Sequence, residues 1–129
     1  MARTLAGRDF QARTMADGSD GDAGVNAMRP ADYIALSTDN AAEDDTNTTL
    51  PGEIITGSLV RAQGIYAHTT GQATYTLSKT FTSDDTLEVF KIGIFNDPTV
   101  GTLVFETLLG TSASLIPGDQ VLITETVTL

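Results

Sequence analysis

The 129-residue chain has no cysteine, no tryptophan, one histidine (His68) and only two lysines, Lys79 and Lys91. Without cysteine there is no disulfide framework and no thiolate metal site, so stability has to come from buried surface or from association with other subunits. His68 has neither a second histidine nor a cysteine to work with, and sits beside Thr69 and Thr70. A hydrogen-bonded structural residue near a turn is expected there, rather than a catalyst. There is no nucleophile elbow, phosphate-binding loop or dinucleotide fingerprint, and no enzymatic activity or cofactor is expected. No apolar run is long enough to cross a bilayer, and the opening MARTLAGRDFQAR lacks the apolar core of a secretory signal. A soluble, non-exported protein is expected.

Acid is abundant: 17 Asp and Glu against 7 Lys and Arg give a formal charge of −10. That balance repels phosphate backbones and argues against nucleic acid or a membrane surface as a partner. Most of the acid is aspartate, and lysine is nearly missing. This is the surface of a protein working in multimolar salt, where short carboxylates hold water and their repulsion is screened; an ordinary acidic protein is the plainer alternative.

Positive charge is concentrated at the front, with Arg3, Arg8, Arg13 and Arg29 preceding the solitary Arg61. Residues 1–31 are read as an N-terminal arm, and residues 32–129 as the folded domain. Within the arm, Leu5, Ala6, Phe10 and Met15 predict a short helix over about residues 4–16 that stops at Gly18. DGSDGDAGVN then follows as a flexible connector. Arg3, Leu5, Arg8, Phe10 and Arg13 are the candidate residues for docking on an acidic neighbouring subunit. Asp17, Asp20 and Asp22 are weak candidates for a hard cation such as Ca²⁺, without the spacing or closing glutamate of an EF-hand; a solvated linker is the plainer reading.

From Asp32 onward the sequence reads as strand after strand. ADYIALST is followed by the acidic loop DNAAEDDTNTTLPG, where Glu43, Asp44 and Asp45 are expected to be solvated and Asn47-Thr48-Thr49 matches a glycosylation acceptor. EIITGSLVRAQGIYAH reads as one long strand, or two joined at a bulge near Gly57 or Gly64. In residues 73–82 Ala73, Tyr75, Leu77 and Phe81 alternate with hydroxyl residues, which predicts a half-buried antiparallel strand. LEVFKIGIF is expected to face Phe90, Ile92 and Ile94 inward, and TLVFETLLG to set Leu103, Phe105 and Leu109 on one face. In QVLITETVTL, Val121, Ile123, Val127 and Leu129 face in, with Glu125 among them. Six or so short strands between turn signals predict an all-β, antiparallel, jelly-roll-like sandwich with a helix-bearing arm.

The blocks DYIALSTDN, TTLPGEI, LVRAQGIYAHTTGQATYTLSKTFT, KIGIFN, GTLVFETLL and GDQVLITETVTL together resemble a family of small structural proteins of tailed viruses, labelled tail-fibre or minor structural proteins. YAHTTG and KIGIFN are the most specific of these. The resemblance implies a non-enzymatic virion component assembled in the host cytoplasm, and the Asp-rich composition adds a salt-loving archaeal host. It brings no catalytic residues. The expected role is a capsid-surface protein, either decoration or the base of a turret, bound to copies of itself and to the major capsid protein through its arm and edge strands. The alternatives are a fibre base or baseplate in the tail, and a host-surface-binding module; Tyr33, Tyr66 and Tyr75 are few aromatics for the latter.

Overall fold

The computed structural model describes residues 2–8 and 30–128. Eight strands build two antiparallel sheets. They are β1 (Ala2–Arg3), β2 (Tyr33–Ser37), β3 (Ala62–Gln63), β4 (Ile65–His68), β5 (Thr74–Thr82), β6 (Leu87–Phe95), β7 (Leu103–Leu115) and β8 (Gln120–Thr128). The larger sheet runs β1-β7-β6-β2-β3 and the smaller β4-β5-β8. The protein is thus an all-β sandwich, with an α-helical turn at residues 5–8 among the described residues.

Alternation decides which side chains lie between the sheets. In the β5–β8 ladder Tyr75 stands opposite Val127, Leu77 opposite Glu125 and Phe81 opposite Val121. Their inward row meets Ile34 and Leu36 of β2, Ile92 and Ile94 of β6, and Phe105 and Leu115 of β7 in one buried core. Each fully buried Leu, Ile or Phe contributes roughly 1.5–3 kcal/mol of transfer free energy, so this row dominates stability.

Two expected inward positions move, for one reason. Between the pairs Val89–Ala113 and Lys91–Leu108, β7 sets residues 109–112 against Phe90 alone, and a second irregularity falls at Val104, between Ile94–Phe105 and Phe95–Leu103. An extra residue reverses the side-chain alternation beyond it. Val89 therefore enters the core and Phe90 is only half-buried. Likewise Val104 and Phe105 both reach the core, while Leu103 turns to the outer face of the sheet, beside Ala35, Leu50 and Phe95.

The segment expected as one long strand, or as two joined near Gly57 or Gly64, is divided, with a break at Gly64. It makes a bridge from Glu53 to Ser37, a 3₁₀ turn at Gly57–Leu59, then β3 in the larger sheet and β4 in the smaller. Gly64 is the only residue between them. A Cβ there would lie 2.9 Å from Cδ1 of Ile34 and 3.3 Å from the Asp32 carbonyl, so glycine eases the close approach to β2 at the crossing.

The first residues belong to the larger sheet. Ala2 and Arg3 pair with Glu106 and Phe105 at the Val104 bulge. The buried Thr4 hydroxyl donates to the Leu103 carbonyl (2.5 Å) and accepts the Gly7 amide (2.9 Å), capping the helical turn. The remainder of the helix expected over 4–16 lies outside the described residues.

Candidate functional site

Loop 39–52, whose Glu43, Asp44 and Asp45 are expected to be solvated, is a lid on the outer face of the larger sheet. Leu50 anchors it in the small apolar cluster with Ala35, Phe95 and Leu103. Glu43 accepts the Leu108 amide at 2.9 Å, and the Asp45 carbonyl accepts the Leu5 amide at 2.6 Å. Asp44, which remains exposed, folds back on Thr46, whose hydroxyl and amide hold its carboxyl below the usual range.

Beneath the lid lies the least expected group in the protein. Lys91 Nζ is 2.8 Å from Asp39 Oδ2 and 2.8 Å from Glu106 Oε1. Lys91 and Glu106 are fully buried, whereas the Asp39 side chain is 27% exposed. Nζ donates an aligned hydrogen bond to Asp39; towards Glu106 the contact is an ion pair in which Oε1 accepts no aligned hydrogen bond. The other oxygen, Oε2, accepts Nδ2 of Asn47 at 2.8 Å. Burial pulls the Lys91 pKa down, but the Asp39 hydrogen bond and the charges of Asp39 and Glu106 outweigh it and hold it above its usual value. The Lys91 hydrogen bond conversely lowers Asp39. The Asn47 nitrogen that a glycan would need is therefore engaged with a buried carboxylate.

Arg61 is a second buried cation. Its guanidinium bonds Glu53 through two nitrogens (3.0 and 2.8 Å), donates to the Asp97 and Val100 carbonyls (3.0 and 2.7 Å), and lies 3.4 Å over the Phe95 ring. It is a structural clamp on the β6–β7 loop.

His68 lies at the end of β4, its Nδ1 2.9 Å from the Thr74 carbonyl and its ring 6.4 Å from Tyr66. Tyr66 in turn meets Tyr75 at 5.6 Å. Burial raises the Tyr75 pKa. Glu125, read as an acid on an apolar face, is buried there and receives the Thr107 hydroxyl at 2.8 Å; burial nevertheless pushes its carboxyl up.

Among the described residues, the strand positions on the outer face of the smaller sheet carry no charge. Its rows are Ile65 and Ala67 on β4; Thr74, Thr76, Ser78, Thr80 and Thr82 on β5; and Gln120, Leu122, Thr124, Thr126 and Thr128 on β8. Lys79 and Glu125, the charged residues of β5 and β8, fall on the opposite face. β8 also ends the sheet: among the described residues it pairs with β5 alone, along nine residues without Pro, Lys or Arg. The other three edges are β1, β3 and β4, of two, two and four residues. Short edges resist strand addition; β8 has no such protection.

Of the sequence-based candidates, Arg3 pairs within the chain's own sheet and lies 5.8 Å from the Phe105 ring, and Leu5 is exposed. Arg8 reaches Asp45 of the lid at 3.8 Å. Phe10, Arg13, Asp17, Asp20 and Asp22 lie outside the described residues. Among the described residues no cluster of three or more His, Asp or Glu could hold a metal, and no helix is long and apolar enough to cross a membrane. No model of a known protein family matches this chain, and no curated protein matches it.

Proposed function

We propose that the chain is a non-enzymatic structural protein of a tailed-virus particle, a capsid-surface component that assembles with copies of itself and with the major capsid protein. The observation that supports this best is the uncharged, hydroxyl-rich face bordered by the long edge of β8. On a body of net charge −10, like molecules repel wherever carboxylates meet; this face lets them approach without that cost. Antiparallel pairing of β8 with β8 of a second copy would satisfy its free backbone groups and join two three-stranded sheets. Arg13 and Arg29 of the arm are assigned to an acidic neighbour in the particle.

Sedimentation of the purified chain tests the face. Thr124→Lys, on its solvent side, adds charge at the edge and is expected to weaken self-association roughly tenfold or more without lowering Tm. Unchanged association removes β8 from the reading. Locating the protein in a map of intact virions tests the role: many copies on the head support it, whereas a few copies at the tail tip would replace it with a fibre base or baseplate. Arg13→Glu with Arg29→Glu is expected to reduce incorporation into particles; normal incorporation refutes the arm's part.

A further inference from the structure

We propose that Lys91 and Asp39 become joined by an intramolecular isopeptide bond, with Glu106 relaying the protons. In water an ammonium and a carboxylate do not condense, because hydration holds both ions. Here the nitrogen is fully buried and lies one hydrogen bond, 2.8 Å, from the carboxyl it would attack. Exchanging two ions for a neutral amide removes one charge pair; Glu106 keeps its charge, held by Asn47 at one oxygen and facing the N–H of the new amide at the other. Fixed geometry replaces the encounter of two groups in solution with an intramolecular step.

The resting pair is ionised, so the reaction needs an acid–base group at the nitrogen. Glu106 Oε1 is that group, 2.8 Å from Nζ, while Asn47 holds the other carboxylate oxygen and keeps Oε1 turned towards Lys91. Through Glu106, one ammonium proton passes to the Asp39 carboxylate. This leaves a neutral amine beside a neutral acid. The nitrogen lone pair then forms the bond to Cγ, and the carbonyl electrons move onto oxygen. Glu106 takes a second proton from nitrogen and delivers it to the departing hydroxyl. The Cγ–O bond breaks and the carbonyl reforms. One water leaves, carrying an Asp39 oxygen and two Lys91 protons, and Glu106 ends as it began. The partial exposure of Asp39 gives that water a way out. No oxidant or co-reactant is needed. The bond would tie the lid to the middle of β6, a covalent staple in a chain that has no cysteine, and it does not depend on the virion reading.

Intact-mass spectrometry of the full chain, purified and then unfolded, tests this directly. The expected mass is one water below that of the sequence. After trypsin, the peptide ending at Arg61 and the peptide starting at Thr80 should travel as one species, uncleaved at Lys91. Glu106→Gln keeps the shape and relays no proton, and is expected to show the full sequence mass; Asp39→Ala should do the same if that variant does not fold. A folded wild-type chain that keeps its full mass on prolonged incubation overturns the proposal. So does a water loss mapped elsewhere, or a loss of ammonia, which would place the bond at Asn47. Cross-linking that persists in Glu106→Gln overturns the relay.

Discussion

Replacing Arg61 separates the value of a charge from the value of its shape. The side chain is 8% exposed and its partner Glu53 16%. Two nitrogens grip one carboxylate, a third serves two carbonyls, and the plane covers an aromatic ring. Arg61→Ala strands a mostly buried carboxylate, a change that costs about 3–5 kcal/mol. Arg61→Lys keeps the charge but has no planar fork, cannot engage Glu53 and both carbonyls together, and loses the stacked contact; a loss of about 2 kcal/mol is expected. Against a total stability of about 5–15 kcal/mol for a domain, that is a large share of the margin. Urea unfolding followed by circular dichroism measures both. The alanine penalty should also persist at high KCl, since mobile ions do not enter a buried site. Were the lysine variant within about 0.5 kcal/mol of the parent, the clamp would act through charge alone and the geometric reasoning would fail.

Glu125→Gln should stabilise the protein at neutral pH by about 1 kcal/mol, because it removes a buried charge while still accepting the Thr107 hydroxyl. Burial raises the Glu125 pKa, so the native state holds its proton more tightly than the unfolded chain and stability falls as pH rises above the ordinary value of 4.5. The gain must therefore shrink on acidification in a series of melts, and a pH-independent gain contradicts the assignment. Gly57 and Gly118 both have positive φ, 79° and 93°, but only at Gly57 would a Cβ meet another group, Asp84 at 2.8 Å. Alanine should cost about 1 kcal/mol at Gly118 and up to about 3 at Gly57; equal costs would show that Asp84 simply moves aside. If the aspartate-rich surface is an adaptation to salt, Tm should rise between dilute and multimolar KCl, and a flat response refutes that origin.

The alternation in residues 74–82 and 120–128 could be read directly, because a strand with one buried face writes its orientation into every second residue. Glu125 stood out for the same reason. Bulges leave no comparable mark: one extra residue at Val104 and the widened stretch opposite Phe90 moved Leu103 and Phe90 without altering composition. Lys91 and Glu106 carried a usable signal, each being a charge flanked by apolar residues, in VFKIGIF and TLVFETLLG. What could not be read was that Asp39, 52 residues from Lys91, would meet them under a lid. The loop's acids suggested solvation, and only Leu50 hinted at an anchor. Arg61 stood apart in the sequence, yet its partners came from separate segments that only the fold unites.

The chain passes between the sheets at Gly64, at residues 83–86 and at residues 116–119. Links of one, four and four residues leave little slack, so neither sheet can slide or peel away without straining the other. A pull on the β8 edge would be passed through the core to the lidded sheet rather than absorbed by a yielding hinge. Mechanically the molecule is a brick rather than a clasp, and a load applied at one sheet would travel through it to the other with little deformation.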